Sequence, residues 1–187
     1  MCQPASRPLA SRAPFLPFIR QRARRPATLL WLGHRVEVRE PTHAFATAGG
    51  VLFVFWKQSV SLQATESLFE IMDGLLEKHE TIGVLVTVYN GIELPARKAQ
   101  NAISEGLEAR TAALRHGVAI AIEGSGIGAT LGRSIARTIS LFSRQGYPAK
   151  VFPSPVEGLG WLREQGADTS VDGATYRTIR DAVDSPQ

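Results

Sequence analysis

Three short runs, each apolar almost throughout, constrain the fold of this chain more than any other feature. They are Val51-Leu-Phe-Val-Phe-Trp56, Ile82-Gly-Val-Leu-Val-Thr-Val-Tyr89 and Val118-Ala-Ile-Ala-Ile122. A strand that alternated polar and apolar residues would keep one face in water; these leave neither face wet, as expected of strands covered on both sides. Their length and their β-branched and aromatic content favour strands over buried helices. Between the first two, Leu68, Ile71, Met72, Leu75 and Leu76 recur at helical spacing, with Ser59 or Ser61 placed to cap the helix and its end expected near His79. A longer helix is expected from about Pro95 to His116, closed by Gly117 in a left-handed conformation.

The remaining elements fall around this frame. Val36 and Val38 alternate with charged residues as a short edge strand, and His43–Ala48 with Val51–Trp56 flank Gly49-Gly50 as a hairpin. After the third run, Glu123-Gly124-Ser125-Gly126 turns the chain into a helix whose apolar stripe is Ile127, Leu131, Ile135, Ile139 and Phe142, stopped by Gly146. Lys150-Val-Phe152 is a last short strand. Ser154-Pro155-Val156-Glu157 is a capping box with proline at the first helical position, opening a helix with Leu159 and Leu162. Repeated strand–helix units require parallel crossovers. The expectation is an α/β domain over residues 34–165: a mixed, mostly parallel sheet of about 4–6 strands, opened by a β-hairpin and covered by helices. Residues 166–187 read as a polar tail with a short helix near Tyr176–Val183.

Residues 1–33 read as a disordered Arg- and Pro-rich leader. Seven arginines (Arg7, Arg12, Arg20, Arg22, Arg24, Arg25, Arg35) precede the first acid, Glu37; without them, 14 of the 21 basic residues face 17 acidic ones. The basic character therefore belongs to the leader, and the rest of the chain offers no broad cationic surface for nucleic acid. The lone cysteine, Cys2, lies in the leader, which excludes an intramolecular disulfide and fits a cytoplasmic setting. No apolar run approaches the roughly 20 residues that span a bilayer.

A hairpin followed by helix–strand units and a closing helix resembles the STAS fold of bacterial anti-sigma-factor antagonists. The closing segment, Val151-Phe152 and then Glu157-Gly-Leu159-Gly-Trp161-Leu162, is similar to the bacterial STAS/SEC14-like branch. The resemblance covers about Val36 to Arg163 and implies a non-enzymatic regulatory module. Regulatory members carry a phosphorylatable serine in the turn before the second long helix. Here that turn is Tyr89-Asn90-Gly91-Ile92-Glu93-Leu94, without serine or threonine; the serine-bearing look-alike at Glu123–Gly128 lies one strand–helix unit later.

The loop Gly124-x-Gly126-x-x-Ala129 satisfies a relaxed dinucleotide-binding pattern, and amides at a helix start there would suit an anion. That pattern normally sits on the first strand with an acid ending the next; here the next strand ends Phe152-Pro153-Ser154, which favours a tight strand-to-helix turn, with Gly128 and Gly132 allowing close packing on the sheet. Ser125 lacks the glycine that a nucleophile elbow needs two positions before its serine, because Glu123 stands there. His79 and His116 are expected at helix C-termini, complementing the helix dipole. Asp73 is the only aspartate between the leader and the tail, so a carboxylate metal site finds no support, although Glu93 and Glu123 would pair if their strands are neighbours. Arg133, Arg137 and Arg144 share one helix face, either solvated or a docking surface for an acidic partner. The reading is thus a non-enzymatic regulatory or protein-binding module without catalytic residues, metal or cofactor. Gly124, Ser125, Gly126, Asn90 and Arg133 are its candidate anion or partner contacts. A carrier of a small apolar or lipid-like ligand is the alternative, and a nucleotide-binding protein using Gly124–Ala129 a third reading.

Overall fold

The computed structural model describes residues 30–31, 33–93, 95–123 and 146–186. Among the described residues, seven strands form one mixed sheet: β1 (Leu30–Trp31), β2 (His34–Arg39), β3 (His43–Ala48), β4 (Val51–Trp56), β5 (Gly83–Val88), β6 (Val118–Ile122) and β7 (Ala149–Phe152). Their order in the sheet is their order in the chain. β1 to β4 pair antiparallel, and β4 to β7 pair parallel. The expected hairpin is present, turning at Gly49 with φ of 51°. The fold class expected from the sequence is the one observed. The two-residue β1 extends the sheet into the segment read as leader.

This strand order dictates how the faces are covered. Each parallel crossover steps one strand in the same direction, and right-handed crossovers of that kind bring their helices to one face of the sheet. Helix α1 (Leu62–Leu76) turns Ala64, Thr65, Leu68, Met72 and Leu75 inward, and α2 (Arg97–Glu108) packs beside it. Ser61 caps α1 by accepting from the Ala64 amide at 3.1 Å. Under these helices lie Phe45, Leu52, Val54, Trp56, Val84, Val118 and Ile120. The opposite face consists of Ala44, Ala46, Ala48, Val51, Phe53, Phe55, Leu85 and Ala119, equally apolar and in need of another cover.

Two C-terminal helices supply it. α3 (Pro155–Glu164), capped by Ser154 as expected, lies on β5 and β6; α4 (Gly173–Asp184) lies on β2 and β3. The row of alanines on β3 leaves room for α4, and Tyr176 lies 6.1 Å from Phe55 and 6.4 Å from Phe53, ring centre to ring centre. Tyr176, Ile179 and Val183 are buried. The short helix expected near Tyr176–Val183 is present as α4, and the segment read as a polar tail after residue 165 contributes five buried residues to the second core: three apolar residues at i, i+3 and i+7 suffice when one helix face alone is buried. Asp172 starts α4 with a capping box, accepting from the amides of Ala174 and Thr175 at 2.9 Å.

The helix expected over 95–116 is shorter. It ends at Glu108 and is followed by a 3-10 turn, Thr111–Ala113. Local side chains cap its last carbonyls: Arg110 donates to the Gly106 carbonyl and Thr111 to that of Glu108, both at 2.8 Å. Arg110 also grips Asp73 of α1 through two 2.6 Å hydrogen bonds, which ties the helices together. The helix expected after Gly126 lies outside the described residues.

Candidate functional site

In an open α/β sheet, ligands meet the carboxyl ends of the parallel strands. Register places Trp56, Val88 and Ile122 side by side, so the next residues, Lys57, Tyr89 and Glu123, form one row beyond the sheet. Backbone hydrogen bonds hold that row: the Tyr89 amide donates to Trp56 and the Glu123 amide to Val88, both at 2.9 Å. Helix α4 then delivers Tyr176, Arg180 and Asp184, spaced four apart and hence on one helix face, against the row.

The groups interlock. Arg180 donates from Nη1 to Glu123, from Nε to Asp184 and, at 3.2 Å, from Nη1 to the Tyr176 hydroxyl. Its guanidinium lies over the Tyr89 ring, 4.2 Å from the centre. The Tyr89 hydroxyl donates to both Asp184 oxygens, at 2.8 and 3.0 Å. Lys57 Nζ lies 3.3 Å from Asp184 Oδ1 and donates to the Val183 carbonyl at 2.8 Å; Arg39 Nε donates to the same carbonyl at 3.3 Å. The charged side chains are 16–36% exposed, so solvent screens each pair and one pair alone contributes at most about 1 kcal/mol.

The network fixes protonation states. Burial, followed by the hydrogen bond to Asp184, pushes the Tyr89 phenol far above its ordinary range, so it remains a donor. Burial also pushes the Asp184 carboxyl up, but the bonds from Arg180 and Tyr89 outweigh that and hold it below the ordinary value. Burial works against the Arg180 cation too, and is outweighed by Glu123, Asp184 and Tyr176. Near neutrality this is a set of fixed donors and charges, suited to holding an ionic group.

Beside the row, His43 packs against Phe45 and Trp56, ring centres 5.0 and 5.9 Å away. Burial is the main cause of a pKa below 6.5; Glu40 opposes the shift and Lys57 adds to it. The neutral ring is thus favoured by folding. Its contribution to stability is complete above the unfolded value of 6.5 and is lost as pH falls below it, with a slope of at most about 1.4 kcal/mol per pH unit for one proton. Urea midpoints measured from pH 8 to 5 are expected to fall over the lower half of that range, and the slope should flatten in His43→Gln.

Of the candidate contacts read from the sequence, Asn90 is exposed in the turn directly after Tyr89, at the strand tips. Gly124, Ser125, Gly126 and Arg133 lie outside the described residues. Glu93 and Glu123 follow neighbouring strands, but the Glu123 carboxylate is taken by Arg180. His116 does not sit at a helix end. Its ring lies between Gln165 and Thr81: Nδ1 donates to the Gln165 carbonyl at 3.1 Å, and Nε2 is 2.8 Å from the Thr81 hydroxyl. Arg180 and Asp184 are not among the expected contacts: the short helix near Tyr176–Val183 is legible in the sequence, but that its polar side chains meet the strand tips is not. Among the described residues, no group of three or more His, Cys, Asp or Glu could hold a metal ion, and no helix is long and apolar enough to cross a membrane. No protein-family model, curated protein or solved structure matches the chain.

Proposed function

We propose that this chain is a non-catalytic, protein-binding regulatory module of STAS-like type, acting in the cytoplasm, with its recognition surface at the strand tips. One observation carries the reading: Lys57, Tyr89, Glu123, Arg180 and Asp184 engage one another there, with the phenol held protonated. Groups so committed recognise charge better than they shuttle protons. The opening hairpin and sequential parallel strands agree with the STAS resemblance. The turn at Asn90 has no serine or threonine to phosphorylate, so in this reading the charged row carries the recognition.

Site-directed photo-crosslinking in cells of the source tests this. A photoreactive residue at Asn90 is expected to capture one specific protein, while the same residue at exposed Glu70 of α1 captures none. Capture of chaperones only, or the same products from both positions, would overturn the reading.

A further inference from the structure

Asp184 is badly placed for its own helix. It is the last residue of α4, where the helix dipole presents partial negative charge and a carboxylate is unfavourable by roughly 0.3–1 kcal/mol. What holds it is outside the helix's own backbone: the Tyr89 hydroxyl, Lys57 Nζ and the guanidinium of Arg180 converge on its two oxygens. Most of this cradle is positioned without Asp184. Arg180 is anchored by Glu123, by the Tyr176 hydroxyl and by the Tyr89 ring beneath it, while Lys57 is anchored by the Val183 carbonyl. Such pre-organised cationic and phenolic donors define a carboxylate-recognition site. Its present occupant is 36% exposed on the last residue of the helix, so a rotation of one side chain would clear it.

We infer that Lys57, Tyr89 and Arg180 form a carboxylate-binding cradle which Asp184 fills in the free protein, and that an acidic residue of a partner protein displaces it. The inference rests on the protein-binding reading and names the chemistry of the partner. Asp184 acts as a tethered competitor. Tethered groups act at effective concentrations of the order of millimolar, enough to weaken an incoming carboxylate by about tenfold or more.

Fluorescence anisotropy with the full chain tests it, using a labelled hexaglutamate peptide and a hexaglutamine peptide as control at fixed ionic strength. Asp184→Ala is expected to bind hexaglutamate at least tenfold tighter than the unaltered chain, and hexaglutamine no better. Asp181→Ala removes the same charge from an exposed position on the same helix and is expected to leave affinity unchanged, which separates the cradle from general attraction to the basic leader. Adding Lys57→Met to Asp184→Ala should reverse the gain. If Asp184→Ala does not fold by circular dichroism, Asp184→Asn keeps the shape and removes the charge, and the same gain is expected. Equal affinities for the unaltered chain and the Asp184 variants would overturn the cradle. A partner captured at Asn90 together with that result would leave the binding module standing; a released cradle with no partner captured would do the reverse.

Discussion

Replacing Tyr176 with alanine is expected to destabilise the fold by about 3–5 kcal/mol, the cost of deleting a buried aromatic ring. The ring is 6% exposed, stacked on Phe55 and close to Phe53, and it holds α4 to the alanine-lined face of the sheet. No other aromatic side chain of α4 could fill the space. The hydroxyl matters less. It lies 3.5 Å from the Thr87 hydroxyl and receives Arg180 at 3.2 Å, so Tyr176→Phe should cost about 0.5–1.5 kcal/mol. Urea unfolding with tryptophan fluorescence separates the two. A loss below 1 kcal/mol for the alanine variant would mean that α4 does not cover this face.

The second large effect is expected at Gly117, where a single methyl group is enough. Gly117 has φ of +86°, a conformation that costs an L-residue about 1–2 kcal/mol. A Cβ there would also stand 2.7 Å from the Trp161 ring and 2.9 Å from the Pro148 carbonyl oxygen, and the latter belongs to the backbone entering β7. Overpacking adds about 1–3 kcal/mol, so Gly117→Ala should lose roughly 2–5 kcal/mol in total. Gly91 supplies the comparison, with φ of +80° and open space where its Cβ would be. Gly91→Ala should show the conformational cost alone. Equal losses at the two positions would remove the contact with Trp161 and Pro148 from the explanation.

The sheet was legible because its central strands are apolar on both faces, a pattern that few other elements share. Gly49-Gly50 announced the hairpin, and Ser61 and Ser154 announced their helices. What the pattern could not supply was the strand order. Sequential strands put the crossover helices α1 and α2 on one side and leave the other face, with Phe53 and Phe55, to be covered from elsewhere. Nothing local to residues 166–187 reveals that demand. Val171, Tyr176, Ile179 and Val183 are sparse among polar residues, and composition alone makes the segment look like solvent-facing tail. The end of α2 escaped for a related reason. Arg110 is a good helix former by propensity, and the side-chain bonds of Arg110 and Thr111 to Gly106, Glu108 and Asp73 close the helix here.

The site divides in the same way. Asn90 and Glu123 were legible beyond the ends of their apolar runs, and Lys57 follows Trp56 in the same way. Tyr89 reads as the last residue of its strand, and its role emerges only when Asp184 is opposite. Arg180 and Asp184 lie 57 or more positions beyond Glu123 in the chain, and the pairings depend on α4 crossing the sheet at one angle. Such long-range electrostatic partners have no periodic signature. The carboxylate of Asp184 at the C-terminal end of a helix is a local irregularity, and irregularities of that kind tend to mark sites.

The second face of the sheet and the charged row at its tips both depend on α4 staying down on Phe53 and Phe55. Native-state hydrogen exchange measures this directly. The amides of Arg177 to Val183 are expected to exchange as slowly as those of Val54, Val86 and Ile120, in one cooperative unit with the sheet. Exchange of the α4 amides orders of magnitude faster, while the central strands remain protected, would contradict it.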